Sequence, residues 1–125
     1  MNKITMKIWG REFDIEVYIR KSQNSDIAFL QEEAYNKFME SQSIIDEAEK
    51  SLISYIEKNY RNDLTENKVE NIFKYVIPKT LFLPRMVKER TVVLLCDFKF
   101  DIEHGLAVVF ENEKFKEIVS QDEVL

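Results

Sequence analysis

The run Thr91-Val-Val-Leu-Leu-Cys-Asp-Phe-Lys-Phe-Asp-Ile-Glu-His-Gly-Leu-Ala-Val-Val-Phe110 decides the fold class, because it sets a polar turn between two β-like stretches. Residues 91–98 are almost continuously apolar and β-branched, which is typical of a strand that is central or covered on both faces. Residues 106–110 and 114–119 flank Glu111-Asn-Glu113, a hairpin signal. This C-terminal region is therefore predicted to be β structure.

Two further β segments lie upstream. Residues 80–83 form a short candidate strand ended by Pro84, which favours an edge position in the sheet. The first twenty residues alternate in two period-2 runs around the break Gly10-Arg11, the pattern of a β-hairpin. Its apolar face contains Ile4, Met6, Ile8, Phe13, Ile15, Val17 and Ile19. Its outward face is predicted to contain Lys7, Trp9, Glu12, Asp14, Glu16 and Tyr18.

The middle of the chain has helical periodicity. Apolar stripes run through residues 26–62, with an interruption at Ser41-Gln-Ser43, so either one long helix or two shorter ones fit. Thr65 is a candidate N-cap for a third helix that Pro78 would end. The order ββ-ααα-ββββ predicts one α+β domain over residues 1–125, an antiparallel sheet with two or three helices on one face.

Composition excludes several classes of function. The net charge is −5 and the cations are scattered, which argues against nucleic acid as a partner. The N-terminus lacks a signal-peptide pattern and no segment approaches the roughly 20 apolar residues of a membrane span, so a cytoplasmic protein is expected. The single cysteine, Cys96, lies in an apolar run and is predicted to be a buried hydrophobe.

Catalytic signatures are absent from the sequence: there is no Gly-rich phosphate loop, nucleophile elbow or paired-histidine zinc motif. The acidic cluster Asp97, Asp101, Glu103 and His104 could bind a divalent cation through carboxylate oxygens, although Lys99 adds a competing charge. The same residues also fit a strand end and tight turn, in which Gly105 supplies a positive φ. No cofactor is predicted.

The segment from Val92 to Leu125 resembles the C-terminal half of a family of uncharacterised bacterial domains. In that family an Asp-x-Glu-His-Gly block precedes a Leu-x-Val/Ile-x-Phe strand, a turn and a second strand. Asp101, Glu103, His104 and Gly105 match the block, whereas Val119 stands where the family has glycine. The resemblance implies a bacterial origin and likeness to the immunity proteins of toxin systems.

These observations predict a non-catalytic, cytoplasmic binding protein of the immunity type, with a protein partner such as a basic toxin domain. Exposed aromatic side chains anchor protein contacts and acids steer basic partners. The expected binding residues are Trp9, Glu12, Asp14, Glu16, Tyr18, Asp101, Glu103 and His104. The alternative is a metal-dependent or hydrolytic enzyme that uses Asp97, Asp101, Glu103 and His104.

Overall fold

The computed structural model describes residues 2–125. Six strands form one sheet in the order β1-β2-β3-β4-β5-β6. The strands and helices are β1 Asn2–Ile8, β2 Arg11–Ile19, α1 Ser25–Glu40, α2 Ser43–Asn59, β3 Val76–Leu83, β4 Thr91–Phe98, β5 Leu106–Glu111 and β6 Lys114–Ser120. The predicted α+β class is confirmed, with two helices between the second and third strands.

The sheet is mostly, but not wholly, antiparallel. Strands β2 and β3 are parallel, with Glu16 opposite Thr80, and every other neighbouring pair is antiparallel. The expectation of a purely antiparallel sheet was therefore wrong at this junction. The two helices and the turns after them return the chain to the end of the sheet where β2 begins, so β3 starts in the same direction.

The open question in residues 26–62 is answered by two helices. The side chain of Asn24 caps α1 by accepting the backbone N–H groups of Asp26 and Ile27. The Ser41 N–H donates to the Phe38 carbonyl at the end of α1, and α2 begins two residues later. The polar break at residues 41–43 thus marks a true helix boundary.

The predicted third helix does not form. Residues 61–74 contain only three-residue 3₁₀ turns, because Glu66 and Asn67 take positive φ values of 56° and 59°, which interrupt a helix. The apolar stripe instead divides: Ile72 enters the core from a turn, and Val76 begins β3.

Strand β3 is also longer and more central than expected. It lies between β2 and β4, so the prediction of an edge strand was wrong. Pro78 is accommodated inside it, where the register against β4 shifts between Pro78 and Thr80. Such an irregularity tolerates a residue that has no N–H to donate.

The N-terminal hairpin is confirmed, but its turn is one residue earlier than predicted. Ile8 pairs with Arg11, so Trp9 and Gly10 form the two-residue turn, with φ values of 51° and 85°. Two positive φ values are typical of a turn that matches the twist of a hairpin.

The sheet buries apolar residues on both faces. The helices and one face form the larger core. A smaller cluster on the other face contains Phe82, Val93, Leu95, Ala107 and Val109. Burial on both faces explains the nearly continuous apolar character of β4. No helix within residues 2–125 has the length and apolar character needed to cross a membrane.

Candidate functional site

The segment between β4 and β5, residues 99–105 (the 99–105 turn), is held by backbone hydrogen bonds. The Lys99 N–H donates to the Tyr75 carbonyl at 2.8 Å, which ties the turn to the chain before β3. The Asp101 N–H donates to the Phe98 carbonyl at 3.2 Å, and the Gly105 N–H donates to the Asp101 carbonyl at 2.8 Å. Backbone N–H groups at both ends of the turn are therefore hydrogen-bonded, which fixes the course of the backbone.

Asp101 and His104 form an ion pair on this turn. The Asp101 Oδ1 accepts the His104 backbone N–H at 3.1 Å and lies 3.1 Å from His104 Nδ1. The hydrogen bond to Asp101, followed by the carboxylate charge, raises the pKa of His104 above its ordinary value. The arrangement therefore favours an imidazolium ion at the surface.

Gly105 is required by close packing as well as by its backbone conformation. Its φ is +65°, and a Cβ there would meet Gln121 Nε2 at 2.5 Å and the Cys96 carbonyl oxygen at 2.6 Å. Gln121 Nε2 donates to the carbonyls of Cys96 at 2.9 Å and Leu106 at 3.4 Å. The prediction of a positive φ at Gly105 is confirmed, and Gln121 emerges as the side chain that locks the turn.

Ile102 stands at the tip of the turn with 87% of its surface exposed. Beneath the turn, the Phe100 ring stacks on Tyr60 at 5.1 Å and on Tyr75 at 5.3 Å between centroids. Ile102 also borders a concavity of about 340 Å³ that reaches to Phe98. The structure thus presents a large, exposed apolar side chain on a turn whose backbone is held by hydrogen bonds.

The four residues of the predicted metal alternative do not converge. Asp97 lies 3.9 Å from the Lys79 ammonium group, and its side chain is 70% exposed. Asp101 is engaged with His104, and residues 2–125 contain no group of three His, Cys, Asp or Glu side chains placed to hold a metal ion. The geometry gives the metal-dependent alternative no support.

Cys96 is fully buried in β4, as the sequence predicts. Burial raises the pKa of its thiol far above the ordinary value, and the Asp97 charge adds to this effect. A thiolate is the reactive form of cysteine, so this side chain is inert in the folded protein.

The outward face of the hairpin has mixed charge. Glu12 lies opposite Lys7 in the register and Glu16 lies opposite Lys3. The third acid, Asp14, accepts a hydrogen bond from Thr5 Oγ1 at 3.1 Å. Basic residues thus face two of the three acids, which makes this strip less acidic than the β2 sequence alone suggests.

Trp9 does not point away from the core, contrary to the sequence prediction. Only 7% of its surface is exposed. Its indole N–H donates to the Ile45 carbonyl at 2.9 Å, and its ring packs 6.1 Å from Phe73. A positive φ at the turn removes Trp9 from the strand alternation, so the side chain binds the hairpin to α2 and cannot anchor a partner.

Tyr18 remains on the outward face and is partly exposed. Its ring stacks on Phe82 at 5.4 Å, so part of the side chain covers the smaller apolar cluster. The predicted binding residues therefore divide into the 99–105 turn and the outer hairpin strip, defined as Glu12, Asp14, Glu16 and Tyr18. Ile102 was missed, although an isoleucine between two acids in a polar turn was a usable signal.

The fold and this site describe a mixed α/β protein that presents a braced surface turn. Comparison with family models matches residues 1–125 to the family described as "Domain of unknown function (DUF6985)", and the chain belongs to that family. The predicted membership of an uncharacterised domain family is confirmed. A search of the curated proteins and a search of the solved structures found no match.

Proposed function

We propose that this protein is a non-catalytic, cytoplasmic binding protein of the immunity type, which neutralises a cognate toxin by covering it. The observation that carries the proposal is Ile102, an almost fully exposed isoleucine on a turn that backbone and side-chain hydrogen bonds hold in place. Exposing a large apolar side chain has no benefit for folding, whereas burying it in a partner stabilises a complex by about 1.5–3 kcal/mol.

Rigidity of the 99–105 turn supports this proposal. Association costs free energy when loops and side chains must be ordered at the interface. Here the turn is already ordered by the Gly105 N–H, by Gln121 and by the Asp101–His104 pair. Little of the free energy of binding at Ile102 is therefore needed to order the 99–105 turn.

The charges around Ile102 are mixed, because Lys74 and Lys99 line the concavity that it borders and Asp101 is paired with His104. Asp101 and Glu103 flank Ile102 in the sequence, and Asp122, on the 3₁₀ turn Gln121–Glu123 that follows β6, adds a further negative charge that acts on His104. Acids around an apolar anchor raise the association rate of a basic partner and suppress wrong partners. Glu103 and Asp122 are the acids here that favour the expected basic toxin domain. The outer hairpin strip is a second, weaker candidate surface.

Photocrosslinking tests the proposal directly. Benzoylphenylalanine is placed at Ile102 or, as a matched control, at Val87, which is also 87% exposed but lies on a different loop. In the encoding organism, the proposal expects one protein adduct at position 102, with a protein that is not captured at position 87. Capture of the same protein at both positions, or no adduct at position 102, would contradict it.

The immunity role needs a separate experiment. The toxin-like gene beside the gene for this protein is expressed in a laboratory bacterium, alone and with the protein. Co-expression of the wild type is expected to restore growth, and Ile102→Glu is expected to restore less growth than Val87→Glu. If no toxin-like gene lies there, or if the wild type does not protect, the immunity role is wrong even if a partner binds at Ile102.

A further inference from the structure

A second surface lies where β2 ends. Three open concavities of about 950, 420 and 390 Å³ meet at Ile19, which is 41% exposed. Val17 and Tyr35 extend the apolar floor on either side of Ile19. We refer to this surface as the basic groove: Ile19 forms its floor, and the basic side chains described next line its edge.

Four cations form the rim: Lys3, Arg20, Lys21 and Arg85. Within residues 2–125, none of them has an acidic partner within 4.0 Å. Glu32 is the one acid among the described residues that line the three concavities. In a protein of net charge −5, this is a local excess of positive charge, reduced at Lys3 by Glu16 on the opposite strand.

The backbone that carries two of these cations is fixed by a buried glutamine. Gln31 is 2% exposed, and its Nε2 donates to the carbonyls of Arg20 at 2.8 Å and Pro84 at 2.9 Å. Arg85 Nε donates to the Lys21 carbonyl at 2.7 Å, which joins the two sides of the rim. Arg20, Lys21 and Arg85 therefore project from a backbone held by hydrogen bonds, and Lys3 projects from β1.

We propose that the basic groove binds an acidic segment of a partner protein, with a large apolar side chain of that segment seated on Ile19. The charges of the rim are complementary to carboxylates on both sides of the apolar residue. The concavities are open, whereas a small-molecule site encloses most of its ligand, so an extended peptide fits this surface better. This site is separate from the 99–105 turn and does not depend on the proposed immunity role.

Selection from a display library of random peptides tests the proposal, with the folded wild-type protein as bait. The enriched peptides are expected to contain Asp or Glu around one large apolar residue. Lys3→Glu combined with Lys21→Glu should weaken their binding about tenfold or more, since each substitution replaces an attraction to a carboxylate with a repulsion. The matched control combines Lys50→Glu with Lys58→Glu on α2 and should bind as the wild type does.

Two further measurements make the result decisive. Ile19→Ser should also weaken the enriched peptides, and thermal melts of every variant verify that the fold is retained. The proposal is overturned if no peptide is enriched, if the enriched peptides lack acids, or if the Lys3 and Lys21 variant binds them normally. Two other ligands are tested as well, a single-stranded oligonucleotide and phosphatidylserine vesicles. The proposal is also overturned if the Lys3 and Lys21 variant binds one of these ligands more weakly but binds the peptides normally.

Discussion

Replacing Gly105 by alanine tests whether Gln121 locks the 99–105 turn. At φ +65° the new Cβ would meet Gln121 Nε2 at 2.5 Å and the Cys96 carbonyl oxygen at 2.6 Å. Both contacts are far shorter than van der Waals separation. The glutamine can move aside, but the carbonyl belongs to the backbone of β4 and cannot move without disturbing the sheet.

The expected change in stability has three unfavourable parts and one favourable part. An L-residue in the left-handed region costs about 1–2 kcal/mol. Displacing Gln121 removes its hydrogen bond to Cys96, which contributes about 1 kcal/mol. The remaining overlap with the Cys96 oxygen adds strain. In the opposite direction, alanine lowers the conformational entropy of the unfolded chain, which stabilises the folded protein by about 0.4–1 kcal/mol. We therefore expect Gly105→Ala to lower the free energy of unfolding by about 2–3 kcal/mol or more.

Gly10→Ala is the matched control, because Gly10 also has a positive φ, +85°, but nothing lies within 4 Å of the added Cβ. Gly10→Ala should therefore lower the free energy of unfolding only through the cost of the left-handed backbone conformation. After the entropy effect on the unfolded chain is subtracted, this loss is about 1 kcal/mol. Urea denaturation followed by Trp9 fluorescence measures both free energies, provided that the m-values agree.

A double-mutant cycle with Gln121→Ala separates the contributions at Gly105. In the Gln121→Ala background, Gly105→Ala should cost less than in the wild type, because one of the two overlaps is already gone. Equal losses for Gly105→Ala and Gly10→Ala would refute the locked turn, as would full additivity in the cycle.

Three further results are expected. The pKa of His104, the one histidine in the sequence, should lie above its ordinary value in an NMR titration, and Asp101→Asn should lower it. Because the pKa is raised on folding, the wild type should be more stable than His104→Gln below pH about 6.5. This difference in stability should disappear as the pH rises through the pKa of the folded protein. Burial raises the pKa of the Cys96 thiol, so disulfide reagents should modify it only as fast as the protein opens, and rapid labelling of the native state would be contrary to this. Trp9→Phe should lower the free energy of unfolding by about 1 kcal/mol, because the Ile45 carbonyl loses the indole N–H; an unchanged value would show that this bond contributes nothing.

Local patterns were sufficient to predict most of the elements. Alternation identified β1 and β2, and the polar break at residues 41–43 proved to be the boundary between α1 and α2. The apolar run of residues 91–98 correctly indicated a covered strand, because its pattern reflects burial on both faces.

The errors arose where tertiary contacts override local preference. The stripe through Val69 and Val76 fits a helix, but pairing with Phe98 of β4 draws Val76 into β3. Pro78 suggested a helix end, whereas a register shift accommodates it inside the strand. Trp9 follows the alternation in sequence, yet its turn conformation places the indole under α2.

The candidate site was predicted only in part. The turn residues Asp101, His104 and Gly105 could be inferred from their types and spacing, since short polar residues and a glycine favour a tight turn. Gln121 could not be inferred, because its role depends on a contact between the tail and β4. The exposure of Ile102 likewise depends on where the folded chain directs the tip of the turn.

The most direct test of Ile102 as the anchor of a protein partner is a comparison of two variants, Ile102→Ala and Val87→Ala. Calorimetry on purified proteins measures the affinity of each variant for the crosslinked partner. Both side chains are 87% exposed in the free protein, so exposure alone does not distinguish them. A contact anchor typically contributes about 2 kcal/mol or more, so Ile102→Ala should weaken binding about thirtyfold while Val87→Ala leaves it unchanged. Equal affinities for the two variants would contradict the account.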